Sequence, residues 1–171
     1  PEPTVEATNK NEKNEEKHVL GIEKELFTVA TGEVIALTDV NDPVFSQKMM
    51  GDGFAVIPAT GEVTAPLSGK IVSVFPTKHA IGMQTAEGAE VLIHMGLDTV
   101  QMSQPAFEIL VSEGQEVVAG TTIAQMNLDA IKNEGKETTI IVVFTDDKVN
   151  GLTINKLGDT ERGTVIGKIN L

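Results

Sequence analysis

Cysteine, tryptophan and tyrosine are all absent from this chain. Without cysteine, disulfide staples and thiolate metal sites are excluded, and a reducing compartment is allowed. Without Trp and Tyr, apolar cohesion falls to Val, Ile, Leu, Met and six Phe. Positive charge is scarce. Thirteen Lys and Arg stand against 25 Asp and Glu, for a net charge of −12. Phosphate repels such a surface, and no basic patch carries interleaved aromatics, which argues against nucleic acid as a partner. Long apolar runs are missing too. The longest, Ile140–Phe144, falls far short of the roughly 18–20 residues of a membrane helix, so direct membrane insertion is not expected. No secretory signal is visible.

What remains is sharply divided. The opening "PEPTVEATNKNEKNEEKH" is polar and mixed in charge. It lacks the apolar surface needed to offset its ordering entropy. Residues 1–20 are therefore expected to be a disordered tail or interdomain linker, and residues 21–171 the folded domain. This linker-like start favours a piece of a fused chain over a stand-alone protein. From Gly21 onward apolar residues come in short, β-branched runs cut by Gly, Pro, Asn and Asp. Examples are Leu26–Ala30, Val34–Leu37, Phe54–Pro58, Ile71–Phe75, Glu90–His94, Glu116–Val118, Thr138–Phe144 and Gly163–Ile169. Closely spaced strands with turn signals between them predict an all-β antiparallel sandwich or barrel-sandwich. Two short helices are expected, over Ser46–Gly51 and Asn127–Asn133, the second capped by Asn127. "TGEVIAL" is echoed by "SGKIVSV", and "AEGAEV" by "SEGQEV". The echoes suit either a duplicated hairpin unit or the ordinary likeness of glycine turns that feed strands.

Three histidines occur: His18 in the polar tail, His79 in "FPTKHAIGM" and His94 in "AEVLIHMGLDTV". A strand histidine is most often structural. Three features point elsewhere for His94. Gly96 allows close backbone approach, Asp98 adds a carboxylate, and His79 sits at a matching turn with Thr77 two residues before it. Strand alternation puts Val91, Ile93 and Met95 on one face, Leu92 and His94 on the other. One ring nitrogen of His94 can donate to a backbone carbonyl near Gly96, leaving the other free as a nucleophile. A second motif, "DPVFSQKMMGDGFAV", crowds Phe45, Met49 and Met50 beside Asp42 and Asp52. Core is the usual fate of such residues; exposed and rimmed by carboxylates, they make an adaptable docking surface. Gly51 and Gly53 lack the Lys-Ser/Thr of a nucleotide cradle. No elbow-type Ser-His-Asp pattern occurs.

"DPVFSQKMMGDG", "APLSGKIVSVFPTKHA" and "VLIHMGLDTV" resemble the signature segments of the glucose-type IIA domain of the bacterial sugar phosphotransferase system. The resemblance covers roughly Lys24 to Ile169. It implies a cytoplasmic β-sandwich that carries a phosphoryl group on His94, with His79 assisting transfer and Thr77 orienting His79. It further implies an apolar docking patch of Val44, Phe45, Met49, Met50, Phe75 and Leu92, rimmed by Asp42 and Asp98. The implied partners are the phosphocarrier HPr, a sugar-specific IIB domain of a membrane permease and regulatory protein targets. No cofactor is implied. Imidazole suits this chemistry because its phosphoramidate is reactive, and transfer is governed by donors around three phosphoryl oxygens.

Other readings compete. His94-Met95-Gly96-Leu97-Asp98 spells H-x-G-x-D, as in some zinc-dependent hydrolases, but no histidine follows to complete a ligand set. Zinc held between His79 and His94 is a further reading, since imidazole is a good ligand. A lipoyl-type carrier would need a lysine in a hairpin context that Lys70 and Lys78 lack. A purely regulatory binding module could use the same surface.

Overall fold

The computed structural model describes residues 22–146 and 148–171. The expected tail lies outside the described residues. The chain opens with β1 (Glu23–Phe27) and β2 (Gly32–Ala36). A 3-10 turn (Leu37–Asp39) and a one-turn helix α1 (Pro43–Ser46) lead to β3 (Asp52–Pro58) and β4 (Glu62–Thr64). A meander follows of β5 (Gly69–Val74), β6 (Ala80–Gln84) and β7 (Glu90–Met95). After a second 3-10 turn (Thr99–Gln101) come β8 (Phe107–Ile109), β9 (Glu116–Val117) and β10 (Thr122–Met126). Helix α2 (Leu128–Asn133) precedes β11 (Ile140–Phe144), β12 (Gly151–Ile154), β13 (Gly158–Thr160) and β14 (Val165–Asn170).

Eight strands form the main sheet in the order β13-β2-β3-β11-β7-β6-β5-β9; β1-β14-β12 and β4-β10-β8 form two smaller sheets. Each pairing is antiparallel. The expected all-β sandwich is what forms. Among the described residues no helix is long and apolar enough to cross a membrane.

The reason lies in the side-chain alternation. Val91, Ile93 and Met95 of β7 are buried while Leu92 and His94 are only half-buried. The first three join a large core with Phe54, Ile71, Ile81, Ile123 and Ile166, drawn from all three sheets. Each such side chain contributes about 1.5–3 kcal/mol by leaving water. Strand β11 is buried along its whole length. Its Ile140, Val142 and Phe144 enter this core, while Ile141 and Val143 point the other way. There they meet Leu37, Val40, Phe45, Ala55 and Leu97 in a second, smaller cluster. That outer cluster is the floor of the histidine site.

The glycine pair in "GDG" is explained by packing. A Cβ on Gly53 would lie 1.8 Å from the Val142 carbonyl oxygen. One on Gly51 would lie 2.0 Å from the Phe144 oxygen, with φ at +130° besides. Both glycines let β3 close onto β11. The first helix departs from expectation. It covers Pro43–Ser46 rather than Ser46–Gly51, because Asp42 caps it by accepting from Val44 N at 2.9 Å and Pro43 presets its first turn. Left-handed Lys48, φ +58°, then ends the segment. The second helix follows expectation: Asn127 caps it through Ala130 N at 3.0 Å. Both members of the "EG" echo are turns, with Gly88 at φ +92° and Gly114 at φ +89°.

Candidate functional site

Register brings the two histidines together. His94 lies opposite Ala80 on β6 and opposite Ile141 on β11, and Leu92 lies opposite Gly82. Paired residues share a face, so Ala80 and Gly82 of β6 lie beside His94 and Leu92, and Ser73 fills the space next to Gly82, where a Cβ would come within 2.4 Å of its Oγ. The β5–β6 hairpin closes through Lys78 N→Phe75 O at 2.7 Å, with Lys78 left-handed at φ +62°. This turn delivers His79 just before β6, and Met95 N→His79 O at 2.8 Å ties it to β7. The two imidazole centroids stand 5.0 Å apart, with ring planes at 81°.

Each ring is held at Nδ1. His94 Nδ1 lies 2.8 Å from the Gly96 carbonyl oxygen. A carbonyl only accepts, so Nδ1 carries the proton, and in the neutral ring Nε2 keeps a free lone pair. The Gly96 carbonyl is itself fixed. Gly96 has φ +84°, and a Cβ there would come within 2.4 Å of Thr99 Cγ2. Its amide donates to Thr139 O at 2.8 Å, and Thr99 Oγ1 donates to Met95 O at 2.5 Å. His79 Nδ1 faces Thr77 Oγ1 at 2.5 Å.

Both histidines have pKa values below the ordinary 6.5. Burial is the cause for His79 and the largest cause for His94. His79 as a cation would depress His94 further, against the opposing pull of the Gly96 hydrogen bond, Asp42 and Asp98. The pair is thus biased to the neutral, nucleophilic form at neutral pH.

The surroundings separate the expected patch into two roles. Val44, Met49, Met50 and Phe75 are exposed, and Leu92 is half-buried. Phe45, expected to belong to the docking surface, is only 7% exposed. Its ring packs 5.2 Å from the His94 ring and enters the outer cluster, because the single turn of α1 folds it down onto Ala55 and Ile141. It supports the histidine from beneath. Phe75 packs edge-on against His79 at 5.6 Å. Asp42 is occupied as the cap of α1 and half-buried, whereas Asp98 is exposed and left-handed at φ +59°.

Two residues around the site carry no signal in the local sequence. Val100 is 49% exposed and lines a groove with Thr77 and Lys78; alone in sequence it reads as core. Glu137 accepts from Asn41 Nδ2 at 2.8 Å, and its carbonyl accepts from Leu97 N at 3.0 Å. It therefore joins the loop before α1 to the segment after His94, a link no local pattern announces. Among the described residues no group of three or more His, Asp and Glu is placed to hold a metal ion, so the hydrolase reading gains no support.

Comparison with known proteins points one way. Residues 24–149 match the family model of the phosphoenolpyruvate-dependent sugar phosphotransferase system, EIIA 1. The chain is 47% identical over 155 residues to the PTS system glucose-specific EIICBA component of Streptococcus pneumoniae, covering 90% of this chain but 21% of that protein. It is 46% identical over 121 residues to a PTS system glucose-specific EIIA component of Staphylococcus aureus, covering 71% of this chain and 73% of the other. In structure it resembles the glucose permease IIA of Mycoplasma capricolum, with a TM-score of 0.81 and 37% identity, over 86% of this chain and 96% of that one. A family match across most of the folded region, agreeing in sequence and in backbone, settles membership: this chain belongs to the EIIA 1 family of the phosphoenolpyruvate-dependent sugar phosphotransferase system.

Proposed function

We propose that this domain carries a phosphoryl group on His94 Nε2, taking it from phospho-HPr and passing it to a sugar-specific IIB domain. The observation that carries the reading is the Gly96 carbonyl on Nδ1. It commits the ring to the tautomer whose free lone pair sits on Nε2. That lone pair attacks the phosphorus of the donor's phosphohistidine. The new N–P bond forms as the donor's N–P bond breaks, and the departing imidazole recovers its electron pair. Onward transfer repeats the step in the other direction.

His79 has a supporting part. With the Thr77 hydroxyl donating to its Nδ1, its Nε2 carries hydrogen and donates to a phosphoryl oxygen. The burial that lowers both pKa values also strengthens this bond. Val44, Met49, Met50, Phe75, Leu92 and Val100 form the docking face, and Asp98 offers a carboxylate to a basic partner.

The test is labelling from phosphoenolpyruvate in the presence of the general phosphotransferase proteins. Label should be acid-labile and map to the peptide holding Val91–Asp98, and His94→Ala should take none. His79→Gln should still accept label but pass it on about 10- to 160-fold more slowly, the scale of one charge-assisted hydrogen bond. Label retained by His94→Ala, on His79, would reverse the roles.

A further inference from the structure

We infer that Met49 and Met50 form an oxidation site, and that conversion of these thioethers to sulfoxides weakens partner docking. The inference rests on the docking role proposed above. With no cysteine in the chain, methionine is its most readily oxidised sulfur. The six methionines are unequally guarded. Met83, Met95 and Met126 are buried and Met102 is half-buried, whereas Met49 is 70% exposed and Met50 40%.

The backbone enforces that exposure. Met49 N donates to Val44 O at 3.0 Å, and Gly51 N to Lys48 O at 3.2 Å. Lys48 is left-handed, and Gly51 cannot carry a side chain against Phe144 O. Lys48 and Asp52 bracket the pair with an ion pair at 3.3 Å. The turn between α1 and β3 therefore leaves both methionine side chains exposed, while Phe45 in the helical turn before them is buried.

The reaction takes a peroxide. The sulfur lone pair attacks one oxygen of hydrogen peroxide, the O–O bond breaks, and water leaves. Sulfur is oxidised by two electrons as peroxide oxygen is reduced. The product is polar and chiral, and is reversible by methionine sulfoxide reductases. An apolar anchor becomes a group whose desolvation costs free energy wherever the partner offers no donor.

The experiment treats the whole protein with graded hydrogen peroxide. Sulfoxide is located by peptide mass mapping, and the rate of label transfer from phospho-HPr is measured before treatment, after it, and after methionine sulfoxide reductase. Sulfoxide should appear first at Met49 and Met50, with the rate falling about tenfold, the scale of burying one unpaired polar group. The reductase should restore the rate. In Met49→Leu, Met50→Leu, the ratio of treated to untreated rate should stay near one, whatever its starting rate. Sulfoxide forming first at Met102 or a buried methionine would overturn the inference, as would an unchanged rate with both sulfoxides in place. Those results leave the carrier reading standing; failure of the untreated protein to take label removes both.

Discussion

The two faces of the main sheet are built from the same strands and do opposite work. The inner face of β7 and β11 packs against two further sheets through Ile93, Met95, Ile140 and Val142, all fully buried. The outer face carries Leu92, His94, Ile141 and Val143 beneath a cover of one helical turn and one 3-10 turn. A full cover secures the fold. A partial cover desolvates two imidazoles, which lowers their pKa values, while Val44, Met49, Met50 and Phe75 beside them stay exposed. A site on a rigid sheet keeps its geometry without needing strength of its own.

The largest test of this contrast is cavity formation. Phe54→Ala on the inner face should cost about 3–5 kcal/mol in chemical denaturation. Phe45→Ala on the outer face should cost less, at or below about 3 kcal/mol, the lower end of that range, since a small, partly covered cluster collapses more easily. It should also slow labelling of the folded fraction, because the His94 ring loses its support. Equal costs with unchanged labelling would erase the distinction between the faces.

Acid should act through the outer face. Both histidines are depressed below 6.5 in the folded state. Above that pH neither folded nor unfolded chain binds the protons, so these groups add no pH dependence. Below it the unfolded histidines protonate first, so stability falls as pH drops from about 6.5 through the lowered folded values. Label acceptance should fall over the folded part of that window, as His94 loses its lone pair. The double variant His79→Gln, His94→Gln should flatten the stability profile there. An equally steep profile would place the effect in the carboxylates.

The smallest expected effect on stability is Met49→Lys. It touches no buried group, so stability should stay within about 0.5 kcal/mol. Transfer from HPr should nevertheless slow, because the new cation opposes a basic partner. A loss of several degrees in melting temperature would mean that Met49 packs inward.

Much of this was legible because strand periodicity is strict. Alternation in "EVLIHM" separates Val91, Ile93 and Met95 from Leu92 and His94, and Asn127 announces its helix by its own side chain. Boundaries slipped where a neighbour decides them. Val34–Leu37 gives up Leu37 to a 3-10 turn, and Asp42 with Pro43 starts α1 three residues early. Phe45 and Met49 look alike as apolar residues in one loop. Only the chain reversal at Lys48 sends one inward and the other out. Glu137 lies 96 residues from Asn41, and a contact of that kind leaves no trace in local pattern.

Phosphoryl carriage is proposed for one atom, Nε2 of His94. Long-range proton–nitrogen NMR spectra of the 15N-labelled protein, recorded before and after phosphorylation, report the state of each ring nitrogen. Before phosphorylation His94 should show a protonated Nδ1 and a free Nε2 at neutral pH. Afterwards phosphorus should couple to Nε2 of His94, with the Nδ1 proton retained and His79 unmodified. Phosphorus on His94 Nδ1, or on either nitrogen of His79, would rule out carriage on His94 Nε2.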